Sequence, residues 1–406
     1  MSRLFSVFLA FWVWTAAASA QEFSGLARVD AANSRISDLG RGGVTLDLGL
    51  SQGVPYRLFT LDGPPRLVAD FQEIDWSGVR AEDLQHSSRV RRMQFGTYVP
   101  GWSRMVLELS GPMAVRRAGL TVDEVTGRAR LLVSLDPVSA EEFATSAGAP
   151  RDPRWDLPEP AGIGARPEPD EDAPLVVVID PGHGGIDPGA ETGGIVEKDV
   201  MMTFARELRE ALLRAGGFEV VLTRDGDHFV SLERRVALAH QAEADVFISL
   251  HADSLSEGLA HGATVHVLSR DASDVASAKL AERHDRDDLL AGVDLSGTDD
   301  EVTDILLDLA RQETQPRTEA LARALVAGMQ NAGGPMNRRP VRSAAFSVLK
   351  AADIPSVLIE IGFLSSPRDL KNLQDAEWRA GMAQGIRAGL ERWRASDLAT
   401  RPLVRQ

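Results

Sequence analysis

The sequence predicts two folded units: a small antiparallel, β-sandwich-like domain, then an α/β domain whose mostly parallel sheet carries helices on both faces. Three observations lead there. Apolar and polar residues alternate with period two through the first third of the chain, a proline-rich acidic stretch interrupts the pattern, and apolar strands alternating with amphipathic helices follow it. The length agrees, because 406 residues exceed what one ordinary core holds.

The chain opens with MSRLFSVFLAFWVWTAAASAQEF. Arg3, an apolar segment from Leu4 to Trp14, and the small residues Ala18-Ser19-Ala20 form the pattern of a cleavable export signal over residues 1–20. The apolar segment is shorter than the ~20 residues that span a bilayer, and no later segment is apolar enough. The expectation is an exported, soluble mature chain without a transmembrane anchor. The formal charge of −15, with Lys and Arg nowhere concentrated, argues against nucleic acid as a partner. No cysteine is present, so disulfides do not support an exported life, and any metal must be held by histidines and carboxylates.

From residue 26 to 137 the pattern is that of short strands between Gly/Pro turns. In GVTLDLGL, Val44, Leu46, Leu48 and Leu50 alternate with small or polar residues, and YRLFTL, RLVADF, RMVLELS and RARLLVSL are further strands. One buried face per sheet is expected. Between Gly148 and Pro174 seven prolines are interspersed with acids, a composition that favours an extended tether and marks the domain boundary at 148–174.

From 175 to 396 the rhythm is LVVVID, a helix over DVMMTFARELREALLRAGG, EVVLTRD, a helix over SLERRVALAHQA, then DVFISLHAD. Such alternation predicts a parallel sheet covered on both faces, and in these sheets ligands bind beyond the carboxyl ends of the strands. His183 stands just past VVVID and His251 just past VFISL, while SVLIEIGF, Ser356 to Phe363, carries Glu360 inside an apolar run. An unpaired carboxylate there costs several kcal/mol, of order ~3–5. Glu197 follows a glycine-rich loop at the start of the next helix, where the helix dipole favours an acid.

A single histidine at a strand end is usually an ordinary surface residue. The set of two histidines and two acids carries more weight, because it has the composition of a zinc hydrolase site. Two imidazoles and one carboxylate leave the ion positive enough to bring the pKa of bound water towards about 7, and a further carboxylate is needed to shuttle the proton. On this reasoning His183, Glu197 and His251 are the expected zinc ligands and Glu360 the base.

These stretches carry a resemblance. IDPGHGGIDPGA, VEKDV, ISLHAD and IPSVLIEIGFLSS resemble the successive signatures of the zinc-dependent N-acetylmuramoyl-L-alanine amidases of the third amidase family, over about Leu175 to Trp393. The resemblance implies Zn²⁺ on His183, Glu197 and His251, Glu360 as catalytic glutamate, and cleavage of the amide between N-acetylmuramic acid and the L-alanine of the peptidoglycan stem. The first domain is similar to the AMIN domain, notably in YRLFTLDGPPRLVADF, which implies peptidoglycan binding in the periplasm and recruitment to the division septum. Arg224 in LTRDGD fits the family's pattern and is a candidate to meet substrate carboxylates.

An insertion from 271 to 313 carries 13 acidic and 4 basic residues, with helical spacing at Val302, Ile305, Leu306 and Leu309. A long excursion beside strand ends that form a site often serves as a lid. Division-associated members of the family carry a helical insert that offers the zinc a glutamate until a LytM-domain activator displaces it. Where relatives often read like LAEKEN this chain reads LAERHD. Either Glu282 blocks the zinc or His284, itself a competent ligand, takes over. A zinc peptidase of the stem and a non-catalytic wall-binding regulator share the first domain or the ligand set, and Glu360 argues against the second.

Overall fold

The computed structural model describes residues 26–72, 74–99, 101–123, 125–150, 173–254, 260–291, 301–351 and 353–404, with the backbone alone at 288–290, 301–313 and 400–404. The expected export signal and most of the expected tether lie outside the described residues.

Eight strands of five or more residues build most of the first domain: β1 Arg35–Leu39, β2 Gly43–Leu50, β3 Tyr56–Leu61, β4 Arg66–Gln72, β5 Val90–Val99, β6 Trp102–Leu109, β7 Met113–Val122 and β8 Ala129–Pro137. They form two sheets, in the orders β7-β8-β2-β1 (with the short strand Gln85–His86 at its edge) and β3-β4-β6-β5. Pairing among these eight strands is antiparallel throughout. The alternating side chains of β2, Val44 to Leu50, meet Leu67, Phe71, Met105 and Leu107 of the opposite sheet in one core. β5, β7 and β1 go beyond the strands the alternation singles out; VRRMQFGTYV and MAVRRAGLTV are too polar to show a buried face.

The second sheet departs from the expectation of one buried face. All of Arg66–Phe71 is buried. The reason is that Phe59, Leu61, Val68 and Val106, on the outward side of this sheet, pack against Ile186, Phe229 and Ala291 of the second domain.

The α/β domain runs β9 Leu175–Pro181, α1 Glu197–Ala215, β10 Phe218–Leu222, α2 Leu232–Gln241, β11 Val246–His251, β12 Ala263–Leu268, α3 Val275–Leu290, α4 Glu301–Asn331, β13 Met336–Ala344, β14 Ser356–Glu360, α5 Pro367–Gln374 and α6 Ala376–Val404. The sheet order is β10-β9-β11-β14-β12-β13. Its first four strands are parallel, and β12 turns antiparallel to β14 with β13 parallel to β12. β13, with the polar sequence MNRRPVRSA, is a strand that apolar runs do not reveal.

On one face Val177, Ile179, Ile248, Leu250, Val357 and Ile359 meet Phe204, Leu208 and Leu212 of α1 and residues of α4 and α6. Each such fully buried large side chain contributes roughly 1.5–3 kcal/mol. On the other face Val178, Phe247 and Leu358 are covered by Ala239 of α2, by Leu280 and Ala281 of α3, and by Phe346. The end of the acidic insertion is not a separate body: residues 301–313 belong to α4, which runs on to Asn331 with Pro316 inside it. A proline there removes one amide from the hydrogen-bond ladder, so the helix runs on with a bond missing. Among the described residues no helix is long and apolar enough to cross a membrane.

Candidate metal centre

Three neighbouring parallel strands, β9, β11 and β14, deliver the site from their carboxyl ends. His183 lies two residues beyond β9, His251 ends β11, and Glu360 ends β14 directly beside His251 in the sheet register. His183 takes a left-handed backbone (φ 59°), a conformation that costs a non-glycine residue about 1–3 kcal/mol and points to a constraint at this position. Gly182 before it leaves room for a neighbour: a Cβ there would stand 2.4 Å from the His251 ring. The glycine thus admits the second imidazole as much as it frees the loop.

Glu197, the first residue of α1, is fully buried. Its Oε1 lies 3.3 Å from His183 Nε2 and 3.2 Å from His251 Nδ1. Atoms bound about 2.0–2.1 Å from a tetrahedral zinc stand about 3.3 Å apart, so these spacings fit a shared ion. Backbone amides of Ala252 (2.8 Å) and Ala190 (2.9 Å) donate to the same carboxylate and fix its position. Burial by itself raises the Glu197 pKa, but the two imidazoles outweigh it and hold the carboxyl well below its usual range. Burial likewise disfavours charge on His183, yet Asp187 and Glu197 pull its pKa well above that of a free imidazole.

Asp187, four residues past His183, accepts from its Nδ1 at 2.7 Å and so turns Nε2 towards Glu197. His183 Nε2 is buried without a hydrogen-bond partner, as are His284 Nε2, Asp253 Oδ2 and Glu360 Oε1. Buried polar atoms left open cost free energy, and four gathered at one site are what a metal and its substrate would satisfy.

His284 reaches the same point from α3. It is 5% exposed, its ring stacks on His251 at 4.2 Å, and its ligand atom lies with those of His183 and His251 inside a 4.8 Å cluster. Burial first, then the neighbouring histidines, push its pKa well below the usual value, so the ring is neutral and has a lone pair to offer. Glu282 lies at the rim of an adjoining cleft of about 510 Å³. Its side chain is 74% exposed and meets Arg286 at 4.0 Å.

Glu360 is fully buried and its Oε2 accepts from the Asp253 amide at 3.0 Å. Burial, then the charges of Glu197 and Asp253, push its pKa well above the ordinary carboxylate range. Asp253 itself is pushed up to about 6 by burial and by Glu197, against the pull of Arg283. Arg283 of α3 donates to Asp253 and to the Ser254 carbonyl.

Arg224 sits elsewhere than a substrate-facing position. Its buried guanidinium donates to the carbonyls of Pro181 (3.0 Å), Gly182 (3.0 Å), Lys198 (2.9 Å) and Gly226 (3.1 Å), which corrects the expectation of a substrate contact. It shapes the His183 loop together with Arg235, which donates to the His183 carbonyl at 2.9 Å and to buried Asp180. Sequence reasoning passed over Asp187 and Asp253. Their signals were present, an acid one loop turn after His183 and another two residues after His251.

The family model described as N-acetylmuramoyl-L-alanine amidase matches residues 177–392, and the AMIN domain model matches 33–135. The chain is 32% identical to N-acetylmuramoyl-L-alanine amidase AmiC of Escherichia coli O6:H1 over 352 residues, 83% of each protein. It is 32% identical to the AmiC of Neisseria meningitidis serogroup B over 371 residues, 86% of each. Against N-acetylmuramoyl-L-alanine amidase AmiA of E. coli K12 the identity is 38% over 217 residues, 53% of this chain and 74% of that one. With a metal-compatible site at the sheet edge and both models matched in order, the chain belongs to the N-acetylmuramoyl-L-alanine amidase family and carries an AMIN domain ahead of the catalytic one.

Proposed function

We propose that this protein is a zinc amidase that hydrolyses the bond between the lactyl carbonyl of N-acetylmuramic acid and the L-alanine nitrogen of the peptidoglycan stem. The observation that carries the reading is Glu197 Oε1 standing 3.3 Å from His183 Nε2 and 3.2 Å from His251 Nδ1, beside buried Glu360. These three residues would hold the ion. When bound, zinc polarises the scissile carbonyl and acidifies water.

Glu360 supplies the proton handling. Its open Oε1 accepts a proton as water adds to the carbonyl carbon, and returns it to the alanine nitrogen as the C–N bond breaks. The products are a lactyl carboxylate and a free L-alanine amine, and Glu360 ends as it began. Asp187 keeps the His183 imidazole oriented.

The enzyme is self-inhibited in this reading, with His284 of α3 as the residue that would block the metal site. Export through residues 1–20 to the periplasm, peptidoglycan binding and septal recruitment by the AMIN domain, and displacement of α3 by a LytM-domain activator complete the proposal. Mass spectrometry of digested sacculi tests the reaction: stem peptides with an unmodified L-alanine amine support it, and shortened stems on intact muramic acid replace it with a peptidase. Metal analysis of the purified chain, expected to return about one zinc per chain, tests the ligand set.

A further inference from the structure

One face of the AMIN domain touches both parts of the site. The carbonyls of Thr97 and Tyr98 in β5 accept from the amides of Ile186 and Phe229, each at 2.9 Å. The Tyr98 and Phe229 rings stack with centroids 5.6 Å apart. Ile186 lies three residues beyond His183, in the metal loop. The approach is close: a Cβ on Gly185 (φ +58°) would stand 1.9 Å from the Thr97 carbonyl oxygen, and one on Gly96 would meet the Ile186 backbone at 3.0 Å.

The same face holds the end of α3. Arg104, buried and paired with Asp70, lies under the Tyr98 ring at 3.5 Å and donates from Nη1 to the Ala291 carbonyl at 3.2 Å. Ala291 directly follows α3 and is fully buried among Phe59, Leu61, Val68 and Val106. A cation on the last carbonyls of a helix complements its dipole. Arg92 adds a rim contact to Asp287 at 3.9 Å.

We propose that this AMIN face is a docking surface for the chain's own metal loop and regulatory helix, and that AMIN docking holds α3 closed over the metal site. The inference rests on the reading of α3 as self-inhibitory. A free helix of 16 residues is marginal in water, so α3 depends on what packs against it. Docked, the AMIN domain caps the helix at the Ala291 carbonyl and buries Ala291, keeping His284 against His251. Undocked, that end loses its cation and its apolar cover, and the helix opens. The coupling runs both ways: freeing His284 loosens the docked domain.

The test uses the full-length, zinc-loaded protein with Gly96→Leu on the AMIN side and Phe229→Ala on the catalytic side, beside His284→Ala. Small-angle scattering reads docking, amide exchange over residues 275–291 reads the helix, and sacculus hydrolysis reads activity. Both interface variants are expected to expand the molecule, speed exchange in α3 and raise basal hydrolysis about fivefold or more. Variants that separate the domains yet leave α3 exchange at the wild-type rate overturn the coupling. Domains that stay together in both folded variants overturn the docking geometry. A His284→Ala protein with wild-type hydrolysis sinks self-inhibition instead, while faster α3 exchange in the interface variants still upholds the docking claim.

Discussion

The sheet edge that presents His183, His251 and Glu360 and the helix that lays His284 against them are held in different ways. β9, β11 and β14 are each flanked by strands on both sides, and backbone amides grip the Glu197 and Glu360 carboxylates. Helix α3 rests on Leu280 and Ala281, on the Arg283 contacts, and on the AMIN face at Ala291. Groups that must keep their geometry through a reaction belong on the first kind of support, and groups that must leave belong on the second.

The largest expected effect tests the rigid side. Glu360→Gln keeps the shape and the Asp253 hydrogen-bond acceptor but cannot take a proton. Sacculus hydrolysis should fall by about 10²–10⁴ while the zinc content stays unchanged. A variant with a substantial fraction of wild-type activity removes Glu360 from the role of base, and loss of zinc assigns it a structural one. Asp187→Asn comes next. It weakens the acceptor that orients His183, and competition with a chelator should reveal a loss of about 10–100-fold in zinc affinity. Unchanged affinity would mean that the sheet alone aims the ring.

The movable side answers in the opposite direction. His284→Ala removes the imidazole stacked on His251 and should raise basal hydrolysis about tenfold, a coupling of ordinary size between a regulatory element and a site. On the proposed reading the same variant also loses a metal ligand and should bind zinc less tightly.

What the sequence made legible follows the same division. His183, Glu197 and His251 can be found because strand ends and helix starts announce themselves through apolar runs that stop, and Glu360 because it is a lone acid inside an apolar run. The reversal at β12 and the polar strand β13 carry no such mark. The AMIN contact is hidden for a different reason: it is made by the carbonyls of Thr97 and Tyr98 and by the absence of side chains at Gly96 and Gly185, none of which reads as a partner site. Arg224 misleads because a family-like position says nothing of where the guanidinium points, and here it points into the loop.

The smallest effect sharpens the comparison most, because LAERHD offers two ligands and a helix can aim only one at the metal. Residues 282 and 284 are about 200° apart around the helix axis. His284 is the buried one, and Glu282 is exposed with only a 4.0 Å pairing to Arg286, a surface contact worth about 0–1 kcal/mol. Glu282→Ala should therefore leave basal hydrolysis within about a few-fold of wild type, the range that such a pair spans. If it instead activates as strongly as His284→Ala, then α3 must turn or slide in solution to bring the carboxylate inward. The helix would then be a sampler of two ligands rather than a fixed plug, and its weak support would be the reason.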